Sequence, residues 1–217
     1  MDDLQLSEDH LKKLHLFVEL ILKWNRAYNL VSARDGDHLW VRHIYDSLQL
    51  ISYLPGYGKQ PINLFDLGSG AGFPGIVLAI TTQARVTLVE KSLKKCQFLR
   101  TVAREVSLDC DIFQDRIENV IVSTKADVIT SRALARLDIL LDYSHKLLKE
   151  DGYCLFLKGE QVNQEIQEAQ KKYSFHFEKY QGTTSDTNAI LKVWRIFPLS
   201  SGEIVKSKKN ISYSKID

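Results

Sequence analysis

The segment Asp66-Leu67-Gly68-Ser69-Gly70-Ala71-Gly72 constrains this chain more than any other. It follows a short, largely apolar run, Ile62-Asn63-Leu64-Phe65-Asp66-Leu67, which stops at the glycines. Such a run reads as a buried parallel strand. Pro74 to Ile80 reads as a helix with proline in its first turn. Strand, glycine turn and helix in that order put the turn at the carboxyl edge of an open α/β sheet, where ligands bind. Glycine lets the main chain approach a ligand more closely than a Cβ would permit.

Elements of the same kind follow. Arg85–Glu90 reads as a second strand, and Ser92 caps a helix with its apolar face at Leu93, Cys96, Leu99, Val102, Ala103 and Val106. Asp111–Gln114 is a weak third strand, Ala126–Ser131 a fourth, Leu137–Lys149 a helix ending near Gly152, and Tyr153–Leu157 a fifth strand. A charged helix over Glu160–Lys172 and strands near Phe175–Tyr180 and Ala189–Phe197 complete the series. The alternation predicts an α/β, Rossmann-like fold with a mostly parallel sheet and helices on both faces. Before it stand an amphipathic helix opening at Ser7-Glu8-Asp9, with apolar positions Leu11, Leu14, Phe17, Val18, Ile21 and Leu22, and a second helical stretch over Asp37–Tyr53. The expected organisation is a helical N-terminal appendage over 1–56, the α/β domain over 57–198, and a polar tail over 199–217 carrying Lys206, Lys208, Lys209 and Lys215.

The glycine spacing selects a ligand. A dinucleotide fingerprint, G-x-G-x-x-G, needs glycine at position 73, and Phe73 stands there. G-x-G-x-G with an acid two residues ahead is the form usual in S-adenosylmethionine enzymes. Gly68 and Gly70 are therefore expected at that cofactor. Glu90 closes the second strand 22 positions after Gly68, as expected for a carboxylate on ribose hydroxyls. It would repel a phosphorylated ribose. In this topology the loop Gln114-Asp115-Arg116-Ile117-Glu118 flanks the adenine, with Ile117 on the ring face and either Glu118 or a nearby backbone group at the exocyclic amine. Asp115 also suits a helix cap.

Composition excludes several classes. At 217 residues, with 44% hydrophobic and 26% charged residues, the chain fits one domain with an appendage and is not expected to be disordered. No stretch approaches ~20 apolar residues, so no membrane span is expected. The acidic start MDDLQLSEDH is unlike a secretory signal, so a cytoplasmic protein is expected, by default a monomer. Cys96, Cys110 and Cys154 form no disulfide framework, and the histidines have no metal-ligand spacing, so no metal is expected. A net charge of +2 neither demands nor excludes a nucleic acid.

After the fourth strand, Asp127-Val128-Ile129-Thr130-Ser131-Arg132-Ala133 contains no Asp/Asn-Pro-Pro-Tyr motif, which argues against adenine N6 methylation. Cys154 lies within the fifth strand and reads as packed rather than nucleophilic. Arg132, closing the fourth strand, is the candidate catalytic residue. Its planar donors suit a carboxylate, a phosphate or the O6 edge of guanine, and it would equally pair with a nearby acid. Lys23, Arg26, Arg34, Arg42 and His43 stand near Trp24, Tyr28 and Trp40, a pattern that suits stacking on an exposed base. The alternative is that these aromatics pack on the main domain and that Arg42, His43 and Asp46 pair internally.

The chain resembles the bacterial small-subunit rRNA 7-methylguanosine methyltransferases, the family called glucose-inhibited division protein B. The resemblance spans about Leu11 to Phe197. It rests on Lys23-Trp24-Asn25-Arg26-Ala27-Tyr28-Asn29-Leu30, Val41-Arg42-His43-Ile44-Tyr45-Asp46-Ser47-Leu48, the glycine segment through Phe73-Pro74-Gly75, Ser131-Arg132-Ala133 and Leu157-Lys158-Gly159. It implies cofactor contacts at Gly68, Phe73, Ile117, Glu118 and Arg132, and 16S rRNA or the small ribosomal subunit as partner. Phe73 would otherwise read as a core aromatic. Three rivals stand beside it: a small-molecule methyltransferase, a cofactor-binding module without catalysis, and an NAD oxidoreductase, the last disfavoured by Phe73.

Overall fold

The computed structural model describes residues 6–32, 38–185 and 187–199. Arg34 and the tail lysines lie outside them, as does Asp37 at the start of the expected second helix. Seven strands form one sheet in the order β3-β2-β1-β4-β5-β7-β6. They are β1 (Asn63–Leu67), β2 (Arg85–Val89), β3 (Cys110–Phe113), β4 (Ala126–Arg132), β5 (Leu148–Lys158), β6 (Tyr173–Gln181) and β7 (Ala189–Pro198). The first five run parallel, and β7 and β6 close the edge as an antiparallel hairpin. The sheet is therefore the mostly parallel one expected. β1 has β2 on one side and β4 on the other, so strand order reverses beside the glycine turn.

Alternation along β1 separates two cores. Leu64 faces one with Val86, Leu88 and Val128, while Phe65 and Leu67 face the other with Val89 and Ile129. The first face is covered by α1 (Glu8–Tyr28), α3 (Gly75–Thr81) and α4 (Leu93–Glu105), the second by α5 (Leu137–Leu147) and α6 (Val162–Ala169). Helix α1 begins where its sequence dictates: Ser7 Oγ accepts the His10 N–H at 3.1 Å, and Glu8 and Asp9 occupy the first turn. It buries Leu14, Phe17, Val18 and Ile21, while Leu11 and Leu22 stay exposed at the margins of the stripe. Phe17 packs on Phe73 and Phe98, and Trp24 meets the edge of Phe98. The N-terminal helices thus share a core with the sheet.

Three expectations need correction. The second helical stretch is not one α-helix: a π-helix (Trp40–Tyr45), a single α-turn, α2 (Asp46–Leu48), and 3₁₀ turns (Gln49–Tyr53, Pro55–Gly58) follow one another. Its periodicity marks buried positions and does not distinguish one helical hydrogen-bond pattern from another. Helix α5 ends at Leu147, and β5 starts at Leu148 rather than Tyr153. Ala126 pairs with Leu148 but Val128 with Tyr153, so a bulge takes up the extra residues through Gly152. Helix α6 is confined to Val162–Ala169, because Lys171 and Lys172 turn the chain into β6 through bonds to the Glu168 and Ala169 carbonyls.

Gly75 begins α3 against the sheet. A Cβ there would lie 2.3 Å from Leu88 Cδ2 and 2.7 Å from Asp66 Oδ2. Gly75→Ala should therefore destabilise the protein by about 1–3 kcal/mol through overpacking, lowering Tm by roughly 5 °C. A thermal melt checks this, and an unchanged Tm would mean that α3 shifts without cost.

Candidate active site

The glycine turn is fastened mainly by main chain. Gly68 and Ser69 donate to the Val89 carbonyl at 2.8 and 3.2 Å, and Gly72 donates to the Ser69 carbonyl at 2.7 Å. Glu90, buried at the end of β2, accepts Gly70 N–H on Oε2 at 3.0 Å and Ser92 N–H on Oε1 at 2.8 Å. One carboxylate thus holds the glycine turn and the start of α4. Gly70 and Gly72 both require positive φ, 57° and 99°, but for different surroundings. A Cβ on Gly72 would lie 2.6 Å from Ile76 Cγ1, in the core. A Cβ on Gly70 would meet nothing nearer than the Gly68 carbonyl oxygen at 3.7 Å, so its Cα faces open space.

That open space is where the sequence places a nucleoside. The loop after β3 carries a 3₁₀ turn over Ile117–Asn119, with Ile117 half-buried and Glu118 exposed. Asp115 is not the side-chain cap of that turn; its Oδ1 accepts Arg116 N–H and Asn119 Nδ2. Glu118 accepts from Tyr143 Oη at 3.1 Å and Arg116 Nη2 at 3.3 Å. Its own backbone N–H, with these partners, holds its pKa below the ordinary value. Phe73 is buried, its ring 5.2 Å from Phe17 and 4.8 Å from His43. Its side chain is the core aromatic that the residue type alone suggests.

Beside the turn, β4 and β5 end in a cleft of about 410 Å³. Arg42, Asp46, Arg132, Arg136, Lys158, Glu165 and Asn188 supply its polar lining, and Leu134 and Leu157 are its large apolar residues. Arg132 Nη1 lies 2.6 Å from His43 Nδ1, and its Nη2 lies 3.6 Å from Asp46 Oδ2. Arginine only donates, so His43 Nδ1 accepts and the imidazole is neutral. The next residue, Ala133, has φ 50°, an uncommon value for a residue with a Cβ and one that turns the chain sharply beneath the cleft. The Lys158 side chain is 7% exposed, bonded to Glu165 Oε2 at 2.6 Å and to the Ala135 carbonyl at 2.9 Å. Glu165 also accepts the Leu137 N–H at 2.8 Å, so this pair fixes the far end of the same loop.

The structure brings together Gly68, Gly70, Glu90 and Arg132 around the ends of β1, β2 and β4. Ile117 and Glu118 stand on the adjoining loop after β3. Of the two readings of Arg132, pairing with an acid is observed and coexists with its place in the cleft. His43 and Asp46 pair internally, while Arg42 lines the cleft. Sequence reasoning gave no role to Glu165, Thr184 or Asn188, which no local spacing connects to Arg132. Cys154 is fully buried, and burial pushes its thiol up to about 12. Among the described residues, no three His, Cys, Asp or Glu side chains form a metal-binding group, and no helix is long and apolar enough to cross a membrane.

Residues 10–190 match the family described as GidB, rRNA small subunit methyltransferase G. The chain belongs to this family. It is 44% identical over 188 residues to the ribosomal RNA small subunit methyltransferase G of Gluconobacter oxydans, covering 87% of this chain and 95% of that protein. The same-named protein of Rickettsia prowazekii is 35% identical over 190 residues, covering 88% and 96%. The fold alone is shared with magnesium protoporphyrin IX methyltransferase from Synechocystis, solved with bound S-adenosylmethionine. That match has a TM-score of 0.60 at 14% identity over 87% of this chain and 97% of the other. A variant of MtNAS in complex with S-adenosylmethionine gives 0.58 at 15%, over 85% and 75%. The GidB family match embraces α1, the glycine turn and the cleft together.

Asp66 adds a pH dependence beneath this GidB site. Burial raises its pKa from 3.8 to about 6 against the opposing Thr130 hydroxyl, which donates to Oδ1 at 2.8 Å. A folded pKa above the unfolded one means that ionisation costs stability. The cost is absent below about pH 4, grows between about 4 and 6, and is complete above that. Asp66→Asn should therefore raise Tm at pH 8 by roughly 5 °C, for about 2–3 kcal/mol, and change it little at pH 4. Equal Tm values for both proteins at pH 8 would show that Asp66 carries no such cost.

Proposed function

We propose that this protein transfers the methyl group of S-adenosylmethionine to N7 of a guanosine in 16S rRNA, acting in the cytoplasm on the small ribosomal subunit or its RNA. The observation that carries the reading is the Arg132 guanidinium, fixed beside the glycine turn and lining a cleft with polar and apolar walls. The residues fit the cofactor. Gly70 leaves room for a ligand against the main chain, Glu90 lies at the ribose position, and Ile117 and Glu118 adjoin the expected adenine position. Phe73 contributes through its main chain, since its ring is buried.

Bound S-adenosylmethionine supplies an electrophilic methyl group on a charged sulfonium. Guanine N7 bears an in-plane lone pair and no proton, so no side chain need act as a base. The neutral His43 is accordingly assigned to holding Arg132. The protein's contribution is orientation, which supplies as much as ~7–11 kcal/mol when reacting atoms are aligned. Arg132 presents planar donors suited to the O6 edge of guanine, adjacent to N7. Leu134 and Leu157 give the cleft an apolar part against which a base can pack. Arg42 and Arg136 at its lining suit the phosphates of the RNA strand.

The test uses tritiated S-adenosylmethionine with unmodified 16S rRNA or small subunits, and maps the label by nuclease digestion and mass spectrometry. Label on one guanosine N7 is expected. Label on a small molecule alone, or cofactor binding without transfer to any acceptor, would sink the reading. Arg132→Ala should lower turnover by about 100-fold or more, while His176→Ala on the outer hairpin leaves it near wild type. Equal losses in the two variants would remove Arg132 from the site. RNA affinity should fall steeply with added salt, by roughly tenfold or more between 50 and 200 mM, as phosphate contacts displace counterions. A flat salt dependence would remove the phosphate contacts from this account.

A further inference from the structure

Asp46 gathers three separate parts of the chain. It is 3% exposed and comes from the short turn α2. Its Oδ1 accepts Gln49 Nε2 at 3.1 Å and the Thr184 hydroxyl, and Asn188 Nδ2 lies 3.5 and 3.4 Å from its two oxygens. Gln49 extends the same junction: its Oε1 accepts the Thr183 N–H at 3.0 Å and its hydroxyl at 3.3 Å. The connection between β6 and β7 is thus held to the N-terminal helical region through two neighbouring side chains. Asp46 Oδ2 faces Arg132 Nη2 at 3.6 Å, and the other arm of that guanidinium meets His43, three residues before Asp46. The His43 ring rests on Phe73, directly after the glycine turn.

We propose that Asp46 is a positioning residue for methyl transfer, fixing the Arg132 guanidinium beside the cleft and fastening Thr184 and Asn188 alongside it. A buried carboxylate with this many donors has a fixed place, and an arginine set between it and a neutral imidazole has a fixed plane. The π-helical turn before Asp46 supplies the spacing. Arg42 lines the cleft while His43 and Asp46 both reach Arg132. Asp46 acts through Arg132; Asn188, which it also holds, lines the same cleft. The proposal rests on the methyltransferase reading of this site.

The experiment measures kcat and KM for small subunits, with Tm, in Asp46→Asn and Thr184→Val, each in the wild-type and the Arg132→Lys background. Asp46→Asn should lower kcat by about tenfold or more while KM for RNA moves less than about threefold. In the Arg132→Lys background it should cost less than about twofold more, because the coupled interaction is already lost. Thr184→Val should show a smaller loss of kcat, absorbed in the same way. An Asp46→Asn enzyme with wild-type kcat, or losses that multiply in full in the Arg132→Lys background, would overturn the proposal. If Asp46→Asn fails to fold, the Thr184→Val pair decides by the same rule. A wild type inactive on small subunits, or an Arg132→Lys enzyme with full turnover, overturns the functional reading instead. Clear loss in Arg132→Lys with full turnover in both new variants overturns the positioning role alone.

Discussion

The carboxylate of Glu90 is the tie on which the carboxyl edge of the sheet depends. One oxygen takes the Gly70 N–H and the other the Ser92 N–H, so the glycine turn and the entry to α4 share one anchor. The arrangement places a negative charge at the base of the open space over Gly70. A carboxylate has more acceptor directions than these two bonds use. Its structural role and a role toward ribose hydroxyls are therefore compatible. The Val89 carbonyl strengthens the same junction by accepting from both Gly68 and Ser69.

The cleft is organised by charges removed from water. Lys158 with Glu165, and Arg132 with Asp46, are partly or fully buried. Such pairs are weak contributors to net stability, because desolvation offsets much of their attraction. Their value here is geometric. The first pair fixes the Ala135 carbonyl and the start of α5, the second fixes the end of β4, and the loop of Ala133–Arg136 is held at both ends. That loop carries Leu134, whose side chain lies across the Cα of Gly68. The walls of the cleft and the glycine turn are in this way parts of one packed unit.

The N-terminal helices belong to the same unit. Phe17 lies against Gly72 and Phe73, and Phe98 of α4 meets both Phe17 and Trp24. A Cβ at 72 would lie 2.6 Å from Ile76 Cγ1 and 3.2 Å from Phe17 Cζ, so α3 and α1 both crowd this position. Trp24 is thereby a packing residue. Tyr28, beside Lys94 at 5.7 Å, remains at the surface.

The sequence by itself determined what local periodicity and local chemistry can specify. It set the alternation of strand and helix, the Ser7 and Ser92 caps, the glycine turn with Asp66 ahead of it, and Glu90 closing β2. Those features have short repeats or fixed spacings, and the structure places them where expected. Element ends were legible only approximately: the bulge through Gly152 depends on pairing with β4, and the π and 3₁₀ turns from Trp40 onward share their buried periodicity with an α-helix. The tertiary structure alone decided that Asp46 meets Arg132, Thr184 and Asn188. The last two of these partners stand 138 and 142 residues away along the chain. No periodicity encodes a contact at that separation; it exists because the sheet order brings the end of β4, the β6–β7 connection and the N-terminal turn to one buried point.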